Sequence, residues 1–255
     1  AIEELHMEEP ALPFDDLDAN FFAGDSLITF SENGPPTKTP WPDADVIIGN
    51  PPFLGAKRLK PERGPDYVNA VRKLYPEVPG MADYCVYWFR RAHEHLPLCT
   101  PDDPLTGRAG LVGTQNVRNN KSREGGLDYI VQTGTIIEAV ENQPWSGEAN
   151  VHVSIANWVK HADRVSKTKL FIPAKMKLWF KVELPPTSKK KRKRGQGSVA
   201  KEYELNVRLC REINSALSKD VDVSVKRVLN CNKFPKKCFQ GKIPGYSGFL
   251  VGPTL

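Results

Sequence analysis

The sequence predicts an α/β fold built on a mostly parallel sheet with one antiparallel strand near its end. Two short apolar runs, DVIIGN and RAGLVGT, are typical of strands that are covered on both faces. The segment between them contains DYCVYWFRRAHEHL, in which apolar residues recur at helical spacing. Strands that are separated by helices are joined by parallel crossovers, so these observations together favour a parallel sheet.

The first half of the chain gives its elements in a simple order. The run ANFFAGDSLITF predicts a strand whose carboxyl end turns at Gly24 and Asp25. Residues 31–43 form a loop by composition, because they contain four prolines and one glycine. The strand DVIIGN, the helix DYCVYWFRRAHEHL and the strand RAGLVGT follow.

The second half supplies the predicted antiparallel strand. The segment GGLDYIVQTG predicts a short helix, and TIIEAVEN predicts a strand. In NVHVSIANWVK the apolar residues Val151, Val153 and Ile155 alternate as they do in a strand. Only the short segment QPWSGEA separates these two strands, so we expect them to pair antiparallel. Residues 201–218 predict an amphipathic helix.

Composition indicates a globular protein with an excess of basic residues. The chain has 255 residues, of which 40% are hydrophobic and 26% charged, and its net charge is +6. This charge suits a polyanionic partner such as nucleic acid, and it equally suits a solvated basic surface. The basic run at 189–194 predicts a solvated flexible loop, with a phosphate-contacting arm or a nuclear targeting signal as alternatives.

The cysteines and the hydropathy pattern indicate a cytoplasmic protein. No signal-peptide core and no apolar segment of about eighteen residues is found, so we expect no membrane association. The cysteines form no CxxC pair and no Cys/His cluster with zinc spacing, so we predict no metal site. We interpret them as reduced thiols that serve mainly in packing: Cys85, Cys99, Cys210, Cys231 and Cys238.

The stretch Asp43–Gly55, DADVIIGNPPFLG, ends a predicted strand in two prolines. The carboxyl ends of parallel strands line the crevice where ligands bind, so we expect Asn50–Phe53 at that rim. Proline fixes φ and lacks an amide hydrogen, which makes the loop rigid and leaves carbonyls without an internal donor. The loop would then present two acceptors, the Asn50 side-chain oxygen and a backbone carbonyl, beside an aromatic ring. A turn or a helix stop is the ordinary alternative for Asn-Pro-Pro alone.

Such a loop suits a planar ring that carries an exocyclic amine. Two acceptors can bind both amine hydrogens while the aromatic ring stacks on the base, which is worth about 1–3 kcal/mol per base. The acceptors also stabilise positive charge that develops on the nitrogen, which is electrostatic preorganisation rather than general-base catalysis. Transfer of a methyl group from a sulfonium to that nitrogen requires neither a nucleophilic side chain nor a metal.

The motif NPPF resembles the signature of the N6-adenine DNA methyltransferases that use S-adenosyl-L-methionine. Longer segments, over roughly residues 15–255, are similar in content and order to the MmeI-like members of that family. The resemblance implies a Rossmann-like class I methyltransferase sheet and a role in restriction-modification or phage defence. The segments that carry it are PDADVIIGNPPFLGAKRL, YPEVPGMADYCVYWFRRA, GRAGLVGTQNVRNNKSRE, QPWSGEANVHVSIANWVK and CFQGKIPGYSGFLV.

The resemblance also implies roles for individual residues in catalysis and donor binding. Asn50 and the Pro51 carbonyl would hold the amino group of the target adenine. Pro52 would brace the loop, and Phe53 would stack on the base. Asp25, in AGDSL, resembles the acidic residue that contacts the adenine of the methyl donor, and its alternative is a turn aspartate at a strand end. The glycine that ends the strand before the motif, Gly49, is assigned to the same donor site.

The segment TQNVRNNKSRE follows an apolar strand and should also lie on the rim. Arg118, Lys121 and Arg123 could bind DNA phosphates there, and a solvated loop is the alternative for each. Trp145 and His152 could border the base pocket or serve only in packing. The expected partner is double-stranded DNA with a flipped adenine, because the target base must leave the duplex at a cost of a few kcal/mol.

Two features of the family do not occur upstream of NFFAGDSL: the glycine-rich loop after the first strand and the acidic residue after the second. The first 20 residues contain no glycine. We therefore expect a sheet without its first strands, and a missing segment or second polypeptide that supplies the loop. We assign residues 1–182 to a partial catalytic domain, 183–200 to a basic linker and 201–255 to the start of a target-recognition region, a small C-terminal α+β appendage.

Two other functions fit parts of the sequence. Methyltransferases that act on a protein glutamine or an RNA base share Asn-Pro-Pro-aromatic, because these substrates offer a similar planar amine. A non-catalytic DNA-binding piece of a defence complex would fit the missing donor loop.

Overall fold

A six-stranded mixed sheet forms the centre of the fold. The computed structural model describes residues 21–31, 34–145, 151–162, 167–183 and 203–220. Within them the strands are β1 (Ile28–Thr29), β2 (Thr37–Lys38), β3 (Val46–Gly49), β4 (Arg108–Thr114), β5 (Gly134–Pro144), β6 (His152–Lys160), β7 (Met176–Glu183) and β8 (Tyr203–Cys210). The helices are α1 (Ala56–Arg63), α2 (Pro65–Leu74), α3 (Val86–His95), α4 (Asn120–Gly125) and α5 (Leu127–Ile130).

The central sheet has the strand order β3-β4-β6-β5-β7-β8. β3 pairs parallel with β4, and β5 pairs parallel with β7. β6 lies antiparallel between β4 and β5, which confirms the predicted antiparallel pairing of the strands joined by QPWSGEA. β8 also runs antiparallel, against β7, so the sheet is less parallel than the sequence predicted.

The prediction of a helix over residues 201–218 is wrong, because Tyr203–Cys210 form the strand β8. Leu205, Val207 and Leu209 alternate with polar residues, and this period of two fits a strand. Leu205, Leu209 and Ile213 are spaced by four residues, and this spacing fits a helix equally well. In a helix the backbone would bond within its own segment, whereas in a strand it bonds to a neighbouring strand. All eight residues of β8 are in register with β7, whose hydrogen bonds decide the outcome.

α3 packs across one face of the sheet and forms the centre of the core. Phe89 stacks on Trp158 of β6, with ring centroids 5.8 Å apart and planes 20° apart. Leu111 of β4 is buried on the same face. Gly113 permits the close approach, since a Cβ there would lie 2.5 Å from Val117 Cγ1 and 3.0 Å from Phe89 Cε2. The predicted helix and the predicted strand are therefore confirmed.

The β1–β2 ribbon is held to α3 by Arg91, which is only 7% exposed. Its guanidinium donates to the carbonyls of Ser26, Leu27 and Thr39. The strand predicted before Gly24 is wrong in its described part, because residues 21–24 are not in a strand and the strand begins at Ile28. No described strand pairs with residues 21–24, whereas the burial of Leu27 and Ile28 favours pairing further along the chain.

β3 lies at one end of the central sheet, and in the described residues its outer edge is unpaired. Val46 is 51% exposed and Ile48 82% exposed, so the prediction that this strand is covered on both faces is wrong for this structure. Ile47 does pack against the core. The apolar run therefore predicted a strand, but one of its faces is uncovered.

Several predictions fall partly or wholly outside the described residues. The basic run at 189–194, Cys231, Cys238 and the rest of residues 221–255 lie there. The three cysteines that are described are free and buried. In the described part of the chain, no helix is long and apolar enough to cross a membrane, and no group of three or more His, Cys, Asp or Glu could hold a metal ion. The domain boundaries stay predictions.

Candidate active site

A cleft of about 1050 Å³ runs along β3 and past its carboxyl end. α1 and α3 also contribute to the wall, through Arg63 and Trp88. The volume is at the upper end of the range for small-molecule sites, about 300–1,000 Å³. The wall includes six of the residues that the sequence singled out: Asp25, Gly49, Asn50, Pro51, Pro52 and Phe53.

Asn50–Phe53 form the loop that follows β3. Pro51 is buried and anchors the loop, whereas Asn50 and Pro52 are exposed and Phe53 is half-buried. Within the described residues, no hydrogen bond engages the Asn50 side chain, so its amide oxygen is available as an acceptor towards the cleft. The loop is fixed at its far end because the Leu54 carbonyl accepts a hydrogen bond from the Tyr84 amide at 2.8 Å.

Phe53 is held edge-on by Trp145, which follows β5. The ring centroids are 5.6 Å apart and the planes are at 90°. Trp145 is itself fixed by its amide, which donates to the Val151 carbonyl at 2.8 Å. Of the two residues that the sequence suggested as a border of the pocket, Trp145 therefore contacts the motif. His152 is exposed in β6, opposite Pro144.

Asp25 lies on the cleft wall and is heavily bonded within the protein. Its Oδ1 accepts the amides of Leu27 and Ile28 at 2.9 and 3.1 Å. Its Oδ2 accepts Arg63 Nη2 at 2.8 Å and the Tyr67 hydroxyl at 2.7 Å. A carboxylate has about four acceptor positions, and these four donors occupy them. Asp25 thus has the bonding of a turn aspartate as well as a position on the cleft.

The Tyr67 hydroxyl continues from Asp25 to the Tyr84 hydroxyl, 2.5 Å away. Burial raises the pKa of both phenols above the ordinary value, so both are neutral donors at neutral pH. Tyr84 also packs edge-on against Trp88, with centroids 4.8 Å apart. This side of the cleft is therefore aromatic, with the Asp25–Arg63 ion pair at its edge.

The three predicted DNA-binding residues lie after β4 and are engaged in ion pairs. Arg118 pairs with Glu141 at 2.7 Å, Lys121 with Glu124 at 2.7 Å, and Arg123 with Asp128 at 3.3 Å. Lys121 has a side-chain exposure of 57%, compared with 22% for Arg118 and 12% for Arg123. Lys121 is thus the most accessible of the three to a phosphate.

Sequence reasoning missed Asp83, which is 6% exposed and lies directly behind this rim. Its carboxylate accepts hydrogen bonds from Thr114 and Asn116. The signal in the sequence was weak, because ADYCVYWF shows an acidic residue before a helix and nothing more. Only the fold brings the segment after β4 to it.

The chain is similar to known proteins in sequence, through a family model, and in structure. A family model described as "MmeI, DNA-methyltransferase domain" matches residues 2–172, so the chain belongs to that family. A search of curated proteins gave no match.

Two solved structures are similar at low sequence identity. One is the Type IIL restriction-modification enzyme MmeI in complex with DNA, at 17% identity and a TM-score of 0.46, over 70% of this chain and 20% of that one. The other is a modification subunit of a putative type I restriction enzyme from Vibrio vulnificus YJ016, at 16% identity and a TM-score of 0.37, over 57% of this chain and 27% of that one. The chain thus spans about a fifth and about a quarter of their lengths.

Proposed function

We propose that the chain is the catalytic part of a site-specific DNA methyltransferase that methylates the exocyclic amine of adenine within a restriction-modification or phage-defence system. The observation that carries the proposal is the loop at the carboxyl end of β3. There an unengaged Asn50 amide and a half-buried Phe53 ring face a cleft large enough for a purine. Membership of the MmeI methyltransferase-domain family supports the same reaction class.

In this proposal the chain acts by binding and orienting an amine. The Asn50 side-chain oxygen and the Pro51 carbonyl accept the two amine hydrogens, and Phe53, braced by Trp145, stacks on the adenine ring. Both acceptors belong to a loop that is fixed by two prolines, so they need little reorganisation when positive charge develops on the nitrogen. No general base is required while the amine is being methylated, because the nitrogen loses its proton after the transfer.

A cleft of about 1050 Å³ is large enough for S-adenosyl-L-methionine, which supports this cofactor as the donor. When bound, this cofactor supplies an electrophilic methyl group on a sulfonium. Gly49 would allow close approach of the backbone, and Asp25 would contact the adenine of the donor. Asp25 already accepts four hydrogen bonds, so a contact to the donor amine would replace that of Arg63 or Tyr67.

Double-stranded DNA would bind across the same rim. Lys121 is exposed enough to contact a phosphate, whereas Arg118 and Arg123 would first have to leave Glu141 and Asp128. These contacts would position the duplex, and the target adenine would be flipped into the cleft. The net charge of +6 supports such a partner.

We propose further that the chain acts together with a segment that carries the glycine-rich donor loop, either an N-terminal half or a second polypeptide. The uncovered side of β3 supports this. An unpaired strand edge exposes backbone donors and acceptors, and Ile48 beside it is 82% exposed. A strand added to this edge would bury Ile48 and close the open side of the cleft.

The test uses isotopically labelled donor and a library of random duplex DNA. The chain alone and the chain with the loop-bearing segment are compared, and calorimetry measures donor binding in both cases. We expect label in N6-methyladenine only with the segment, and at least about a hundredfold less label for Asn50→Ala. Robust transfer by the chain alone would contradict the need for a partner.

The alternatives are tested by adding RNA and a glutamine-containing protein as further substrates in the same assay. Label in RNA or in protein glutamine, with none in DNA, would indicate the other amine substrates that Asn-Pro-Pro-Phe can serve. Binding of DNA without donor binding or transfer in any combination would indicate a non-catalytic piece of a defence complex.

A further inference from the structure

Asp83 and Tyr84, separated from α3 by Cys85, join the loop after β3 to the end of β4. The last residue of β4 and the short 3-10 helix Gln115–Arg118 that follows it are called the Thr114–Arg118 turn. The Asp83 Oδ2 accepts hydrogen bonds from Thr114 Oγ1 at 2.7 Å and from Asn116 Nδ2 at 3.0 Å. The next amide, that of Tyr84, donates to the Leu54 carbonyl at 2.8 Å. These two neighbouring residues therefore bond to both rim segments, Asp83 through its side chain and Tyr84 through its amide.

A further hydrogen bond connects Asp83 to α4. The Asp83 amide donates to Ser122 Oγ at 2.9 Å, and Ser122 is buried. On the opposite side, Asp83 Oδ1 would lie 3.9 Å from a Cβ placed on Gly55, so the carboxylate borders the end of the Asn50–Gly55 loop. Its neighbours thus come from the loop after β3, the turn after β4, and α4.

The chemistry of the site makes Asp83 a strong restraint. Hydrogen bonds to a carboxylate are shorter and about twice as strong as those between neutral groups. With 6% exposure, little water is available to replace Thr114 and Asn116 as donors. A neutral residue of the same shape would therefore loosen the turn that follows β4 without removing packing volume.

We propose that Asp83 is a positioning residue that fixes the Asn50–Phe53 loop relative to the Thr114–Arg118 turn. This inference rests on the proposed function, since the loop would hold the target amine and the turn would lie along the DNA. Asp83 is not among the residues that line the cleft. It acts through Thr114 and Asn116 on one side and through the Tyr84 amide and Leu54 on the other.

The kinetic test uses Asp83→Asn in the chain with its donor-loop segment. We expect kcat to fall about 10- to 100-fold with KM for DNA changed less than about threefold, because a misplacement of about 1 Å is enough for such a loss. The double variant D83N/N116D exchanges amide and carboxylate, which restores a charge-assisted hydrogen bond between positions 83 and 116 and should recover most of kcat. Asp66→Asn, an exposed aspartate of α2, is the matched control and should retain full activity.

Hydrogen exchange of the chain alone separates this inference from the proposed function. In Asp83→Asn we expect the Tyr84 amide and the amides of the Thr114–Arg118 turn to exchange at least about tenfold faster, and the double variant to reverse the change. Unchanged exchange in Asp83→Asn, or no recovery in the double variant, would overturn the positioning role even if the enzyme methylates adenine. Altered exchange that the double variant reverses, together with no methyl transfer by the wild-type chain when its donor-loop segment is present, would instead support the positioning role and overturn the proposed function.

Discussion

Phe53 combines two contacts that can be separated by substitution. Its ring is perpendicular to that of Trp145, and it lines the cleft where the base would stack. We expect Phe53→Ala to lower transfer to DNA about 5- to 150-fold, which corresponds to the loss of about 1–3 kcal/mol of stacking. Phe53→Tyr retains a ring and should stay within about threefold of the wild type. The measurement is single-turnover transfer to random duplex DNA, and equal losses in both variants would exclude stacking as the cause.

Arg91 is the residue on which the β1–β2 ribbon depends most. It donates to three carbonyls and to the Tyr75 hydroxyl, and its guanidinium lies 4.3 Å from the ring centre of Trp41. Arg91→Met would remove the guanidinium donor from all four acceptors and its charge from the core. The Ser26 carbonyl would keep Trp41 Nε1 as a donor and the Leu27 carbonyl would keep the Tyr75 hydroxyl, so we expect a loss of about 3 kcal/mol in the free energy of unfolding rather than more.

Urea unfolding of the Arg91 variant is compared with that of Arg72→Met. Arg72 is exposed and donates to a single carbonyl, that of Gly80, so its loss should cost less than about 1 kcal/mol. Similar losses in the two variants would show that the ribbon does not depend on the buried guanidinium.

At the scale of single residues, the sequence predicted the location of residues that directly follow the end of a strand. Asn50 and Phe53 follow a strand end, and their place on the cleft wall could be expected from that alone. Asp83 could not be predicted, because its donors, Thr114 and Asn116, lie about thirty residues away in sequence. The ion pair of Arg118 with Glu141, 23 residues away, was missed for the same reason.

β3 is the element whose surroundings differ most from the expectation. Its side chain Ile48 is exposed, so Ile48→Lys should leave the thermal stability of the chain alone within about 2 °C of the wild type. If a strand from the donor-loop segment adds to this edge, the same change should weaken association at least about tenfold, because an apolar contact is lost and a charge is buried.

Calorimetric titration of the donor-loop segment into each variant tests this prediction. Val207→Lys is the control, since Val207 is 47% exposed on β8 at the other end of the sheet. Equal affinity of the Ile48 and Val207 variants would place the contact away from β3.

Elements could be predicted wherever an apolar pattern had one interpretation. β3 to β6, α3 and α5 follow runs whose length and period agree. β8 was missed because its leucines satisfy both a period of two and a period of four. The choice between strand and helix depends on pairing with β7, which is separated from β8 in sequence by residues 184–202. Backbone pairing across such a distance is not encoded in local periodicity.

For the whole molecule, the α/β class and the antiparallel insertion of β6 could be predicted from element order and from one short connection. The strand order itself could not, since nothing local states that β6 would lie between β4 and β5. The core that results includes a titratable group at its centre, His93 of α3, which is 0% exposed. Its environment connects the stability of the whole fold to pH.

His93 is held in one neutral tautomer. Trp158 Nε1 donates to its Nδ1 at 3.1 Å, so its Nε2 carries the proton and donates to Thr133 Oγ1 at 2.9 Å. Burial, followed by the positive charges of Lys160 and Arg90, lowers the pKa of His93 from 6.5 to about 4. The folded protein therefore resists protonation that the unfolded chain accepts.

The sign of the pH dependence follows from these two pKa values. Between pH 6.5 and about 4 the unfolded state binds more protons at this position than the folded state, so stability falls as the pH falls. The full loss from this group is about 3 kcal/mol, at about 1.4 kcal/mol per pKa unit. Urea unfolding between pH 4.5 and 7.5 should show His93→Gln with a flatter pH profile than the wild type. His152→Gln, which removes an exposed histidine, should keep the wild-type slope, and a flattened slope there as well would mean that His93 is not the group responsible.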